Sequence, residues 1–374
     1  MKHLLIISLA IGLLALSSCN STNTDGGSNA PPPANAITVE AAKTQAASDP
    51  KVNVLFVVDN SGSMKGYQEK LSKNMRLFAD KFFANSRIDY RIGVVPVYDS
   101  KYLNDKTVYP VVGVRKMNAL AELVPLKGLA PEDNQSQLFI TRNTLNPKKV
   151  LEQTVAIGVQ WGPEAEESFS PVLAIADDAI NAKNQGFYEK DAYLAVIFLT
   201  DADDVTPALS GDDFYQRLVD LKDGDRSKIL IAAALPNLNN HGADCKKDGQ
   251  GPLQSFPSLL ASSGALIADL CSANFGGRLA DFGQYLAQRV AMQKIPLDFT
   301  PDIRTLQVSY GEVNSSESDR IQIPRGAGGY LFNSETNEVI ISSNFKTVRK
   351  ESGVIFVKAV PADLATAQEA SFHQ

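Results

Sequence analysis

Apolar residues recur along this chain in two rhythms, and the change from one to the other divides it. Val52 to Val58 is apolar throughout except for Asn53. Such a run suits a strand covered on both faces, because a strand wetted on one face alternates. Tyr67, Leu71, Met75, Phe78 and Phe82 then follow at helical spacing and form one stripe. Tyr90 to Val97 predicts a second strand, Val172 to Ala182 a helix, and Ala192 to Leu199 another doubly buried strand. Phe214, Leu218 and Leu221 mark a helix, Ile229 to Leu235 a strand, and Leu279, Phe282, Leu286 and Val290 a long helix. Strands alternating with helices predict an α/β fold: a doubly wound, mostly parallel sheet between helix layers, over residues 49–295.

Beyond Pro296 the helical period vanishes. Leu306–Tyr310, Ile321–Ile323, Tyr330–Phe332, Val339–Ile341 and Val354–Val360 are short β-prone runs, and Asn333–Asn337 reads as a hairpin turn. They predict a small antiparallel β unit over 296–362, followed by a loose tail at 363–374. Near the other end, residues 19–48 are rich in Ser, Thr, Asn, Gly and Ala around Pro31-Pro32-Pro33. That composition predicts a flexible tether with a mean span on the order of 30 Å.

Residues 1–18 have a different character. Lys2 precedes a mainly apolar run from Leu4 to Leu16, closed by Ser17, Ser18 and Cys19. The run is too short to span a bilayer and matches the apolar core of an export signal. The small residues before Cys19 resemble the lipobox cut during bacterial lipoprotein maturation; an ordinary secretory signal is the alternative. The resemblance implies that Cys19 is lipidated and that acyl chains hold the protein to the cell envelope. Asn20, in place of Asp, points to the outer membrane. In an exported chain the remaining cysteines, Cys245 and Cys271, read as one disulfide. It would restrict the unfolded chain by about 3–4 kcal/mol in the entropic account. Two free thiols are the alternative.

A formal net charge of −6 offers no basic face for nucleic acid. The chemistry concentrates in Asp59-Asn60-Ser61-Gly62-Ser63, between the first strand and the first helix. Asp-x-Ser-x-Ser arises by chance in about one chain of this length in ten, so its position carries the argument. Ligands of open α/β sheets bind at the carboxyl ends of strands. Gly62 is expected to allow a tight turn there. A second strand end, Phe198-Leu199-Thr200, runs into Asp201. Asp59 and Asp201 would face each other across one crevice, with the hydroxyls of Ser61 and Ser63 between them. An all-oxygen set suits a hard cation, Mg²⁺ first, with Mn²⁺ or Ca²⁺ as alternatives. Helix capping by the serines is the competing reading.

Val57-Val58-Asp59-Asn60-Ser61-Gly62-Ser63-Met64 resembles the first metal loop of von Willebrand factor A domains, and Phe198-Leu199-Thr200-Asp201 the strand that supplies their last Asp. The resemblance covers about Lys51 to Gln293. It implies a metal-ion-dependent adhesion site in which Ser61 and Ser63 touch the metal and Asp59 and Asp201 act mostly through water. The family also supplies a Thr six residues before a helical Leu. Counting back from Leu173 gives Glu167, with the hydroxyl of Ser168 beside it. The implied function is binding a carboxylate of a protein partner through the metal, in adhesion or envelope assembly. An aspartyl phosphatase would need an acid where Ser61 stands, and no G-x-S-x-G elbow is present. A non-enzymatic role is therefore expected, with a structural envelope lipoprotein carrying a vestigial site as the alternative.

Overall fold

The computed structural model describes residues 39–45, 50–84, 88–100, 120–159, 165–236, 253–272, 274–326, 328–342, 345 and 353–363. The first strand, β1 (Val39–Gln45), belongs to the second of two units. The first unit is built on β2 (Lys51–Val58), which lies between β3 (Asp89–Pro96) and β4 (Tyr193–Leu199). β5 (Ile229–Leu235) and β6 (Leu266–Asp269) continue the sheet beyond β4, and every neighbouring pair is parallel.

Two helix layers cover this sheet. α1 (Lys65–Phe82), α2 (Pro147–Val155) and α7 (Phe275–Ala291) lie on one face. α3 (Phe169–Ala174), α5 (Gly211–Leu221) and α6 (Ser255–Ser263) lie on the other. The unbroken apolar run of β2 is thereby explained. Val54, Phe56 and Val58 enter the core beneath α1, and Leu55 and Val57 enter the core beneath α3 and α5. In the second core the rings of Phe169 and Phe214 stack at 4.2 Å, with Phe198 and Phe256 edge-on to Phe169. Each fully buried ring contributes about 1.5–3 kcal/mol. The doubly wound α/β fold follows from this packing.

Some local details differ from the sequence reading. The helix expected over Val172–Ala182 is two short ones, α3 and α4 (Asp178–Lys183). The side chain of Asp177 accepts from Ala179 N and Ile180 N, and this cap starts a new helix where the old one ends. α2, α6 and β6 carried no clear periodic signal. β6 is four residues long at the sheet edge and leaves Ile267 exposed.

The second unit pairs two antiparallel sheets over one core. β7 (Gln293–Pro296), β8 (Gln307–Glu312), β9 (Ile321–Ile323), β10 (Tyr330–Asn333), β11 (Glu338–Ile341) and β12 (Gly353–Ala359) join β1 in the orders β1-β12-β8-β9 and β10-β11-β7. Ile295, Val308, Val339, Ile341, Ile355 and Val357 fill the space between them. The hairpin expected at Asn333–Asn337 joins β10 to β11.

Two expected boundaries are corrected. The stretch read as a flexible tether, 19–48, contains β1, which pairs antiparallel with β12 from Val39↔Ala359 to Gln45↔Val354. The unit expected to begin at 296 already includes β7, one residue after α7. The α/β unit is thus inserted into the β unit. Main-chain pairing holds β1 at an edge, and such pairing leaves no hydrophobic pattern in the strand's own sequence.

Residues 1–38, with the expected export signal and Cys19, lie outside the described residues, as do Cys245 and 364–374 of the expected tail. Cys271 is disulfide-bonded. No helix among the described residues is long and apolar enough to cross a membrane.

Candidate functional site

The topology makes a crevice where the chain reverses its direction of travel across the sheet. From β2 the chain passes through α1 to β3 on one side; β4 later joins on β2's other side. Loops leaving β2 and β4 therefore diverge at their carboxyl ends. Asp59 is the first residue past β2, and its N–H donates to the carbonyl of Leu199, extending the pairing with β4 by one step at 2.9 Å.

The Asp59 side chain is fully buried. One carboxylate oxygen accepts from Ser61 N at 2.7 Å and the other from the Thr200 hydroxyl at 2.8 Å. The Gln68 amide donates to its carbonyl at 2.8 Å. Burial drives the Asp59 carboxyl from an ordinary 3.8 to about 6, against the pull of the Ser61 and Thr200 hydrogen bonds; the charge of Asp201 pushes it the same way as burial. No basic side chain is among these influences. A buried carboxylate lacking a cationic partner is a place where a bound cation would be favoured.

The serine hydroxyls form a chain across the crevice. Ser61 Oγ lies 3.1 Å from Ser63 Oγ, and Ser63 Oγ donates to Asp201 Oδ1 at 3.0 Å. Ser61 stands at the N-cap of a 3₁₀ turn (Gly62–Met64) yet makes no side-chain cap, and α1 likewise begins without one. The capping alternative does not describe these hydroxyls. Gly62 is a correction: its φ is not positive and a Cβ there would meet nothing within 4 Å. The turn itself does not demand glycine.

The structure brings Asp59, Ser61, Ser63 and Asp201 together as one hydrogen-bonded group. Its donors are oxygens only, and no trio of His, Cys, Asp or Glu forms a metal cluster among the described residues. That set fits a hard divalent cation held through hydroxyls and water.

The middle loop lies alongside. Glu167 pairs with Tyr98, just past β3, through N–H···O bonds in both directions (2.9 and 3.0 Å), and Val205 N, past β4, donates to Glu166 O at 3.2 Å. The segment therefore runs across the carboxyl edge of the sheet. Glu167 is buried; one carboxylate oxygen accepts from Ser100 N at 2.9 Å and from the Ser100 hydroxyl, the other from Ser170 Oγ at 2.6 Å. Ser168 Oγ is buried without a hydrogen-bond partner.

Thr206, Ser170, Ser100 and Gln68 were not identified from sequence, and Asp204 was seen only as part of the acidic strand end that begins at Asp201. Asp204 accepts from Ser168 N (2.7 Å) and Phe169 N (2.9 Å) at the start of α3, and burial raises its carboxyl to about 6. Its neighbourhood to Asp201 was visible in the sequence; its reach to another loop was not.

No protein-family model and no curated protein matches the chain. Solved structures similar to it include a von Willebrand factor type A protein from Catenulispora acidiphila, at 10% identity and TM-score 0.36 over 85% of this chain and 60% of that one. Proximal thread matrix protein 1 from the mussel byssus, with a zinc-occupied MIDAS motif, is similar at 12% identity and TM-score 0.36, over 68% and 50%. The pilus adhesin SpaC from Lactobacillus rhamnosus GG, in an open conformation, is similar at 10% identity and TM-score 0.33, over 86% and 40%. The chain thus spans between 40% and 60% of the length of these three proteins.

Proposed function

We propose that this chain is a lipid-anchored envelope protein whose inserted α/β unit resembles a von Willebrand factor A domain and binds a divalent cation, Mg²⁺ first. Through that cation it holds a carboxylate of a protein partner. The observation that carries the reading is the destination of the serine hydroxyls: they face each other and Asp201 instead of capping a helix. Ser61 and Ser63 would touch the cation, and Asp59 and Asp201 would hold it mostly through water. Neutral hydroxyls leave much of the cation's charge uncompensated, which attracts an external carboxylate. The role is binding in adhesion or envelope assembly, without catalysis. Cys19 supplies the anchor and Cys245 the disulfide partner of Cys271.

Calorimetric titration tests the site. Wild-type protein is expected to bind Mg²⁺ or Mn²⁺, and Ser61→Ala with Ser63→Ala is expected to abolish binding while leaving thermal unfolding in EDTA within a few degrees. The apolar burial of β2 on both faces holds the fold. A wild type that takes up no divalent ion at millimolar concentration returns the protein to a structural role with a vestigial site. Equal affinity in the double variant would move the site to another loop. Cell fractionation of Cys19→Ala tests the anchor: the variant should leave the membrane or fail to mature.

A further inference from the structure

We infer that Glu167 is a positioning residue: its carboxylate fastens the loops around the crevice to one another and does not ligate the cation. The inference rests on the cation-binding reading and refines it, since counting from Leu173 would place Glu167 among the metal's donors.

This side chain joins its own loop to the loop after β3 directly, and to a third loop through Ser170. On one carboxylate oxygen converge the N–H and hydroxyl of Ser100, from the loop after β3. The other oxygen takes the hydroxyl of Ser170, in the first turn of α3. From Ser170 the contacts continue to the loop that carries Asp201. Ser170 N donates to Thr206 Oγ1 at 3.3 Å, the two hydroxyls lie 3.2 Å apart, and Thr206 Oγ1 donates to Asp204 Oδ1 at 2.9 Å. Asp204 closes the circuit on Ser168 N and Phe169 N. Three donors already converge on Glu167, which is 3% exposed, and its main chain is fixed on both sides by Tyr98. Three of its roughly four acceptor sites are thus taken, and none of its side-chain bonds goes to Asp59, Ser61, Ser63 or Asp201.

Proton counting identifies the variant that separates the two roles. A hydroxyl carries one proton. With Ser170 donating to Glu167 and Thr206 donating to Asp204, no proton remains for the contact between those hydroxyls. In Glu167→Gln the amide oxygen can face both Ser100 donors and the amide nitrogen can donate to Ser170 Oγ. The Ser170 proton is then free for Thr206. A clamp therefore tolerates the amide, whereas a metal ligand loses its charge.

The experiment measures Mn²⁺ affinity by calorimetry and the unfolding temperature in EDTA for wild type, Glu167→Gln and Glu167→Ala. The clamp predicts that Glu167→Gln keeps Mn²⁺ affinity within about twofold and keeps the EDTA unfolding temperature. Glu167→Ala should lower that temperature by several degrees and weaken Mn²⁺ by about tenfold or more, the usual effect of losing an outer-sphere support. Glu167→Gln that unfolds normally in EDTA but binds Mn²⁺ more than tenfold more weakly overturns the inference. So does Glu167→Ala with an unchanged EDTA unfolding temperature. Should the Ala variant fail to fold, Ser170→Ala removes a single link and is expected to show a smaller fall. If wild type binds no Mn²⁺, the cation reading fails by itself, and the EDTA temperatures still decide the clamp.

Discussion

Asp59 and Asp204 are each buried with no basic partner among the described residues, and each has its carboxyl raised from 3.8 to about 6. An acid whose folded pKa lies above its unfolded one is favoured by folding when protonated. Its ionisation therefore opposes the fold, and stability without metal should fall as pH rises from about 4 through 6. A shift of this size corresponds to roughly 3 kcal/mol per group at neutral pH. Metal-free protein should accordingly melt at a higher temperature at pH 5 than at pH 7.5. Asp59→Asn should melt above wild type at pH 7.5 in EDTA, show about half the pH dependence, and bind no Mn²⁺. Thermal unfolding across that range checks all three; a metal-free melting temperature that climbs with pH would reject the account. At this scale Asp59, Ser61, Ser63 and Asp201 were legible because they are short-range words at strand ends. The network around Glu167 was not, because its partners Ser100 and Ser170, and Thr206 beyond Ser170, are ordinary surface-type residues until the fold brings three loops together.

Between elements, α1 and α7 approach closely. A Cβ on Gly283 would lie 2.4 Å from the carbonyl oxygen of Phe78, a main-chain atom that cannot swing away. Gly66, also helical, would place its Cβ in open space. The same substitution should act with opposite sign at the two sites. Gly283→Ala should destabilise by about 1–3 kcal/mol through overpacking, and Gly66→Ala should stabilise by about 0.5–1 kcal/mol through helix propensity. Denaturant unfolding of both variants measures this, and a Gly283→Ala protein as stable as wild type would contradict the packing described. The stripes on α1 and α7 were readable because, Gln68 at the start of α1 apart, both buried faces are apolar or glycine. α6, with four serines among its nine residues, has too few turns for the period to emerge.

In the molecule as a whole, the inserted unit leaves the β unit after β1 and returns to it at β7, one residue beyond α7. A chain beginning at Pro50 should keep the five-stranded sheet and its Mn²⁺ affinity. It should lose the ladder along one side of β12, so the amides of Gly353–Ala359 should exchange with solvent markedly faster. Hydrogen exchange followed by mass spectrometry reads both units at once; unchanged protection in β12 would show that β1 adds nothing. The alternation of strand and helix made the class of the larger unit legible. The insertion was hidden because one strand of the β unit sits far upstream in a polar setting, and its membership is set by backbone pairing.

That arrangement has a consequence in time. β1 leaves the ribosome before the inserted unit, and its mate β12 emerges only after it. The inserted sheet, all of whose strands lie between β1 and β7, can assemble while the β unit still lacks a central strand. Long-separated pairings of this kind close late and slowly. Until then the first strand is an open edge awaiting a mate that has not been made, and any extended segment it meets can occupy its place. The step that closes the β unit is therefore the joining of two strands that the inserted unit holds apart along the chain.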